Sequence, residues 1–172
     1  MKIILVGYMG SGKSTIAEKL AKKLNIKAID LDLNIEKAEQ NSIQNIFLTK
    51  GEIYFRKKEH ENLKQIMQTE HDFVISLGGG TPCYANNHLF LEQTDVVSIY
   101  LKASIETLAN RLKNEKAKRP LISNLETNEL YEFIGKHLFE RSYYYNKSKH
   151  VVVTDNKTIT DVVNEITELL LA

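Results

Sequence analysis

The chain contains 172 residues, of which 42% are hydrophobic and 26% are charged, with 23 Lys and Arg against 22 Asp and Glu. This length fits a single domain, the apolar content argues against a disordered chain, and the net charge of +1 argues against a protein that coats nucleic acid or an anionic membrane. The single cysteine excludes an internal disulfide, and no apolar run reaches the ~18 residues of a membrane span, so we expect a cytoplasmic protein without a membrane segment.

Short apolar runs alternate with amphipathic stretches along the chain, which predicts strands alternating with helices. The predicted strands cover residues 2–6, 27–30, 73–77, 96–101 and 151–154. The predicted helices cover residues 14–24, 43–50, 52–69, 105–112, 130–145 and 159–171, with Ser42 and Ser104 as N-caps and a break at Gly51. Residues 114–128 contain Pro120 and show no clear period, which indicates a loop. Strands joined by helices of this length predict right-handed crossovers and hence a parallel α/β sheet.

A glycine-rich segment directly follows the first predicted strand. Residues 7–15 read G-Y-M-G-S-G-K-S-T and match the pattern G-x-x-x-x-G-K-[ST]. In this pattern, glycines let backbone N–H groups face phosphate oxygens, the lysine reaches the β- and γ-phosphates, and the next hydroxyl ligates Mg²⁺. We therefore predict that a nucleotide is bound by Gly10, Ser11, Gly12, Lys13, Ser14 and Thr15, with Ser14 on the metal.

Two classes of nucleotide-binding protein are excluded, one by a missing sequence motif and the other by the length of the chain. A regulatory GTPase needs an N-K-x-D motif. Residues 156–159 read N-K-T-I, so Ile159 occupies the position of the required aspartate. A large motor or transporter ATPase does not fit into 172 residues. A small phosphotransferase does fit, and such an enzyme needs an acceptor pocket close to the phosphate loop.

Two carboxylates, Asp30 and Asp32, follow the second predicted strand. On an extended segment this spacing points both side chains to one side, into the crevice at the carboxyl ends of the strands, with Leu31 facing away. One carboxylate could orient a water on Mg²⁺ and the other could accept a proton from an attacking hydroxyl. The alternative is that both acids cap the following helix.

Two further features could bind an acceptor. Arg56 stands between Glu52 and Glu59, so it either forms surface ion pairs along a helix or points into the crevice to hold an anion, with Phe55 packed alongside. Residues 78–80 are three consecutive glycines at the end of the third strand, where a ligand could approach bare backbone N–H groups. A purely structural turn is the alternative for these glycines.

Taken together, these motifs resemble the shikimate kinase family of P-loop, nucleoside-monophosphate-kinase-like enzymes. The resemblance covers nearly the whole chain through the phosphate loop, Asp-x-Asp at 30–32, Gly-x-x-x-Phe-Arg-x-x-Glu at 51–59, the triple glycine at 78–80, Arg-Pro-Leu-Ile at 119–122, and Arg141. It implies a three-layer α/β/α fold with a five-stranded parallel sheet of order 2-3-1-4-5. It also implies one kinase domain over residues 1–172, with an acceptor-binding helical segment at about 33–61 and a lid at about 114–126.

The resemblance further implies an activity and partners. The reaction would transfer the γ-phosphoryl group of ATP to the 3-hydroxyl of shikimate, giving shikimate 3-phosphate and ADP on the route to chorismate and aromatic amino acids. Mg²⁺ would be the cofactor, held by Ser14 and, through water, by Asp30. Neither nucleic acid nor membrane would be a partner, and the family favours a monomer. Two alternatives remain: a kinase for another small hydroxy acid such as gluconate, and a nucleotide-dependent regulatory module.

Site residues are carried over from the family onto matching positions of this chain. Arg56 and Arg141 would hold the substrate carboxylate, and Asp32 would lie against the ring hydroxyls, orient the attacking one and accept its proton. Arg119 would contact the transferring phosphate. The remaining assignments are Gly78, Gly79 and Gly80 to the acceptor, Phe47 and Phe55 to apolar walls of its pocket, and Arg111 to the adenine. Lys13, Asp32 and Arg119 are thus the predicted catalytic residues.

The chain departs from the family pattern at two positions. Leu31 stands where a small hydroxyl residue is commoner, and Ile122 closes the lid motif in place of leucine. We expect Leu31 to face the interior, so neither change touches the proposed chemistry. The resemblance also accounts for arginine usage, since three of the four arginines fall at positions with an anionic partner, where a planar fork surpasses lysine.

Overall fold

A computed structural model describes residues 1–172, and its centre is a five-stranded parallel sheet with the order β2-β3-β1-β4-β5. The strands are β1 (Lys2–Val6), β2 (Lys27–Asp30), β3 (Phe73–Ser76), β4 (Val96–Lys102) and β5 (His150–Val153). The predicted sheet and strand order are confirmed. Helices cover both faces of a parallel sheet, so side chains on both faces of a central strand are buried. This is why the central strands lie at the continuous apolar runs of the sequence.

Six helices pack around this sheet. They are α1 (Lys13–Leu24), α2 (Leu31–Glu39), α3 (Ile43–Met67), α4 (Ile105–Lys113), α5 (Thr127–Tyr145) and α6 (Ile159–Leu171). Short 3-10 turns occur at Thr81–Cys83, Asn87–Glu92 and Lys116–Lys118. None of the helices combines the length and the hydropathy that crossing a membrane requires.

Alternation along β1 divides the core into two halves. Ile3 and Leu5 pack with α1 and α6 on one face of the sheet, whereas Ile4 and Val6 pack with α2, α3 and the end of α5 on the other. A smaller third cluster joins Tyr8 of the phosphate loop to α4, α5 and the loop between them. The result is the predicted three-layer α/β/α arrangement, with the phosphate loop anchored by its own apolar cluster.

The two largest boundary differences from the sequence-based elements lie at the starts of α2 and α5. The expectation that residues 30–32 are extended is wrong, because α2 begins at Leu31, directly after β2, with Asp30 as its N-cap. Leu31 is fully buried, as expected. Helix α5 begins at Thr127, three residues earlier than predicted, because Glu126 and Glu129 form a capping box.

The predicted helix break at Gly51 is confirmed. The backbone of Gly51 leaves the helical region (φ 84°, ψ 172°), so α3 consists of two helical parts that meet at this residue. Ser42 caps the first part, and its side chain accepts a hydrogen bond from the N–H of Asn45. The second part carries Arg56 and Glu59 towards the loop that follows β3.

Candidate active site

A cavity of about 550 Å³ opens at the carboxyl ends of the strands. Its walls come from the phosphate loop, the ends of β2 and β3, the end of α4 with the segment that follows it, and the loop between β5 and α6. The strand order reverses between β3 and β1, so the loops that leave these strands diverge and create a crevice. The phosphate loop, Asp30, Asp32, Gly78, Gly79, Arg111 and Arg119 line this cavity, whereas the remaining predicted acceptor residues do not: Phe47, Phe55, Arg56, Gly80 and Arg141.

The phosphate loop presents backbone N–H groups to the cavity. Gly10 and Gly12 have positive φ values of 81° and 90°, which residues with a side chain rarely adopt, so the pattern needs glycine there. Gly12 is the N-cap of α1, and no side chain caps that helix. The free N–H groups and the positive end of the helix dipole therefore point at an anion site.

Lys13 lies at the centre of this loop. Its Nζ donates to the carbonyl oxygens of Gly7 and Tyr8 at 2.7 and 2.9 Å. Burial lowers the pKa of Lys13 to about 8, and the nearby carboxylate of Asp32 opposes that decrease. An ammonium group that has only neutral carbonyl partners is arranged to exchange them for phosphate oxygens.

Asp30 has both of the roles that the sequence left open. Its carboxylate caps α2 by accepting from the N–H of Leu33 at 3.1 Å. The same group accepts from the hydroxyl of Ser14 at 2.7 Å and from that of Ser76 at 3.1 Å. A hydroxyl and a carboxylate side by side at the phosphate loop are hard oxygen donors, and they fit Mg²⁺, which takes few protein ligands and keeps water and phosphate oxygens.

Asp32 stands in the first turn of α2 rather than on an extended strand end. Burial, with the neighbouring carboxylates of Asp30 and Glu59, raises the pKa of Asp32 to about 6. Its Oδ1 lies 3.0 Å from where a Cβ of Gly78 would be. Asp32 therefore reaches the triple glycine from the helix, whereas Asp30 contacts the hydroxyls of Ser14 and Ser76.

Arg56 forms ion pairs with both acids of its own helix and also reaches the triple glycine. Its Nη1 donates to Oε1 of Glu59 at 2.9 Å, and Glu59 is only 1% exposed. The other carboxylate oxygen of Glu59 accepts from the hydroxyl of Thr81 at 2.7 Å. The guanidinium lies over the ring of Tyr84, with its Cζ 3.8 Å from the ring centroid. The Nε of Arg56 forms an ion pair with Oε1 of Glu52 at 3.6 Å but no hydrogen bond, and Glu52 is largely exposed.

Arg141 approaches the same loop from α5. Its Nη1 lies 3.2 Å from where a Cβ of Gly79 would be, and Arg56 Nη2 lies 2.9 Å from where a Cβ of Gly80 would be. Each glycine of the triple therefore makes room for a different predicted acceptor residue: Gly78 for Asp32, Gly79 for Arg141 and Gly80 for Arg56. Such close approach explains three glycines in a row better than a turn requirement does.

The two predicted aromatic walls pack against each other. Phe55 is buried, Phe47 is at the boundary of exposure, and their ring centroids are 4.6 Å apart. Phe55 also lies beside the guanidinium of Arg56, at 5.1 Å from Cζ. Neither ring lines the 550 Å³ cavity, so their contact with an acceptor stays a prediction.

Arg111 and Arg119 both line the cavity on its nucleotide side. Arg111 donates to the carbonyl oxygens of Gly10 at 3.1 Å and Thr154 at 3.4 Å, so it connects the phosphate loop to the end of β5. Arg119 lies in the predicted lid, and its Nε donates to Oε2 of Glu115 at 2.9 Å. Arg119 is thus paired with a carboxylate one turn away and not with another part of the site.

Sequence reasoning missed one wall of the cavity. Lys157, Thr158 and Ile159 line it, although from the sequence this segment served only to exclude a GTPase and to begin the last predicted helix at Ile159. The position of this segment in the sequence could have predicted its role. It follows the last strand, and the loops that follow parallel strands lie at the same edge of the sheet.

Comparison with known proteins gives a consistent result. The model of the shikimate kinase family matches residues 9–171. A shikimate kinase from Flavobacterium johnsoniae is 56% identical over 169 residues, which cover 98% of each chain, and one from Flavobacterium psychrophilum is 52% identical over the same share. The crystal structure of a shikimate kinase from Bacteroides thetaiotaomicron is 34% identical, with a TM-score of 0.91 over 100% of this chain and 99% of that one. A shikimate kinase from Acinetobacter baumannii, solved in complex with shikimate, is 30% identical, with a TM-score of 0.87 over 99% and 92%.

Proposed function

This chain belongs to the shikimate kinase family, and on that premise we propose that it transfers the γ-phosphoryl group of ATP to the 3-hydroxyl of shikimate. The products are shikimate 3-phosphate and ADP. The observation that carries the proposal is the triple glycine, where Asp32, Arg141 and Arg56 converge beside the phosphate loop. Neither a gluconate kinase nor a regulatory module is favoured by the relatives, and a paired-arginine acceptor site has no evident purpose in a regulatory module.

Acceptor binding rests on the two guanidinium groups. Arg56 and Arg141 border adjacent glycines, so a carboxylate placed over Gly79 and Gly80 could contact both. Planar guanidinium groups bind carboxylates through paired, charge-assisted hydrogen bonds. With the carboxylate held there, Asp32 at the other end of the triple glycine faces the ring hydroxyls, and the apolar pair of Phe47 and Phe55 supports the segment from α3.

Phosphoryl transfer asks the protein for alignment and for neutralisation of charge. The oxygen of the acceptor hydroxyl forms the new bond to the γ-phosphorus, the bond from phosphorus to the β,γ-bridging oxygen breaks, and the hydroxyl proton passes to Asp32. The loop N–H groups and Lys13 face the charge that spreads over the γ-phosphate oxygens. Arg119 would exchange its bond to Glu115 for one to these oxygens when the nucleotide is bound. Arg111 and the segment at 157–159 provide the wall for the adenosine.

Ser14 and Asp30 are the residues that would hold Mg²⁺, Ser14 directly and Asp30 through a water. When bound, Mg²⁺ supplies positive charge to the β- and γ-phosphate oxygens. The hydrogen bond of 2.7 Å between the two side chains keeps both oxygens at the mouth of the phosphate loop. We also propose that the single domain includes an acceptor-binding segment at about 33–61 and a lid at about 114–126, and that the enzyme is a cytoplasmic monomer.

A coupled assay of ADP release tests the proposed function directly. Purified protein with Mg²⁺ and ATP should release ADP at a rate that rises strongly on addition of shikimate, and ³¹P NMR should identify shikimate 3-phosphate. Gluconate in place of shikimate is the matched control. Equal stimulation by gluconate, or ADP release that ignores both compounds, would contradict the proposal.

Changing Arg56 to lysine tests the carboxylate clamp. Lysine keeps the charge but loses the planar fork and its stacking on Tyr84, so we expect the KM for shikimate to rise about 10- to 100-fold with a kcat close to that of the wild type. Steady-state kinetics with each substrate varied in turn gives the measurement. Arg111→Lys is the matched control, since it should change the KM for ATP and not that for shikimate. An unchanged KM for shikimate in Arg56→Lys would remove the clamp from the mechanism.

A further inference from the structure

The two guanidinium groups of the proposed clamp are held in different ways. Arg56 is paired with the buried carboxylate of Glu59 and stacked on Tyr84. Arg141 has no carboxylate within salt-bridge distance, and its guanidinium instead lies over the ring of Tyr8, with Cζ 5.7 Å from the centroid. Without an ion-pair partner, the position of this long side chain depends on where helix α5 places its backbone and on the aromatic side chains beside it.

Helix α5 carries three polar side chains along one face, next to the proposed acceptor site. His137, Arg141 and Tyr145 are spaced four residues apart, so they lie above one another on the same face of the helix. The outer two residues are each hydrogen-bonded to a loop of the site. Arg141 stands one turn from each of them.

The first of these bonds leads to the phosphate loop. Nδ1 of His137 lies 2.8 Å from the hydroxyl of Tyr8, which is only 1% exposed. Burial, together with Arg141, lowers the pKa of His137, and burial raises the pKa of Tyr8 to about 12. A neutral imidazole can then accept the hydrogen of a protonated phenol. The backbone carbonyl of the same Tyr8 accepts from Lys13, so one residue contacts both the phosphate-binding lysine and the acceptor side of the site.

The second bond leads to the triple glycine. The hydroxyl of Tyr145 donates to the carbonyl oxygen of Gly79 at 2.6 Å, and Tyr145 is fully buried. Gly79 is the glycine that faces Nη1 of Arg141. The bond therefore sets the distance between the helix that bears the guanidinium and the backbone over which the guanidinium lies.

We propose that Tyr8, His137 and Tyr145 are positioning residues that hold Arg141 in place, through one hydrogen bond to the phosphate loop and one to the triple glycine. This inference rests on the proposed function, because Arg141 acts there on the carboxylate of shikimate. The three residues do not touch the reacting atoms. Their removal should weaken acceptor binding while the nucleotide site and the chemical step keep their properties.

Removal of single hydroxyl groups tests the inference. Tyr8→Phe and Tyr145→Phe should each raise the KM for shikimate, and its dissociation constant by calorimetry, about three- to tenfold. The KM for ATP and kcat should stay within about twofold of the wild type. Tyr131→Phe is the matched control, because Tyr131 lies on the same helix and its hydroxyl makes no hydrogen bond within the chain.

Substitutions of the histidine separate positioning from packing. His137→Leu should match Tyr8→Phe, whereas His137→Asn, which keeps a hydrogen-bond acceptor near Nδ1, should recover most of the lost affinity. The double variant Tyr8→Phe with His137→Leu should be no worse than either single variant, because both remove the same bond. If Tyr145→Phe does not fold, the Tyr8 and His137 variants decide the question alone.

The outcomes distinguish this inference from the proposed function. Shikimate-dependent ADP release by the wild type together with unchanged shikimate affinity in Tyr8→Phe and His137→Leu would overturn the positioning role alone. Equal losses for ATP and shikimate, or additive losses in the double variant, would also overturn it and indicate general loosening of the fold. Absence of shikimate-dependent release in the wild type would instead reject the function on which the inference depends.

Discussion

Replacing Lys13 with methionine should lower kcat by at least about 10³-fold. The ammonium group is enclosed by the phosphate loop, where it contacts the carbonyl oxygens of Gly7 and Tyr8. In that setting a positive charge facing the γ-phosphate oxygens acts with little screening by water, so its loss affects the transition state more than the ground state. The coupled ADP-release assay at saturating ATP and shikimate gives the measurement.

Two controls make the result of Lys13→Met specific. Circular dichroism should show an unchanged fold, since methionine has a similar length and Lys13 has no carboxylate within salt-bridge distance. Lys19→Met changes an exposed lysine of the same helix and should leave kcat unaltered. Activity close to that of the wild type in Lys13→Met would show that the loop does not bind the transferring phosphate.

Asp32→Asn should reduce kcat by about 10²-fold or more. Asparagine keeps the size of the side chain and can still bind a hydroxyl, but it cannot accept a proton. The measurement is kcat at saturating shikimate, with Asp95→Asn as the control, because Asp95 is exposed and pairs with Lys2 far from the cavity. Full-speed turnover by Asp32→Asn would contradict both the orienting and the proton-accepting role.

The pH profile gives an independent signature of Asp32. Burial and the neighbouring carboxylates raise the pKa of Asp32 to about 6, so the ionised form that can accept a proton is lost as the pH falls through this value. We therefore expect kcat/KM of the wild type to decrease below about pH 6, and we expect this acidic limb to be absent from the residual activity of Asp32→Asn. A limb that persists in Asp32→Asn belongs to another group.

The same pKa has a consequence for stability, and its sign is opposite to that of most carboxylates. The pKa of Asp32 is higher in the folded state than its ordinary value of 3.8, so ionisation of Asp32 lowers the free energy of unfolding. This loss is complete above about pH 6 and absent below about pH 3.8. Asp32→Asn should therefore raise the melting temperature at pH 8. A loss of activity together with a gain in melting temperature would exclude unfolding as its cause.

Several local features could be predicted from the residues alone. The phosphate loop can be identified from the sequence because its conformation depends only on residues next to each other. These are glycines that adopt positive φ values, followed directly by the start of a helix. The break at Gly51 and the cap at Ser42 are local for the same reason. The strand order and two of the acceptor residues, Phe47 and Arg141, came instead from resemblance to a family, because no period or spacing within one chain defines them.

The start of α2 shows where local reasoning failed. The spacing of Asp30 and Asp32 suggested an extended pair, but the Asp30 side chain caps a helix that begins one residue later. An aspartate at the end of a strand is compatible both with an extended continuation and with the N-cap of a helix. Burial of Leu31 against the sheet favours the helix. The helix then gives the two carboxylates different neighbours and different chemistry.

Apolar runs and glycine spacing act over a few residues, so the residues alone predict a phosphate-binding loop on a parallel α/β sheet. The packing of the folded chain places Gly78, Gly79 and Gly80 against Asp32, Arg141 and Arg56, three side chains from three different helices. It also brings Tyr8 to His137 across a separation of 129 residues. Contacts of this kind arise from how helices pack on the sheet, and the free energy of that packing is spread over the whole core and is not encoded in any one segment.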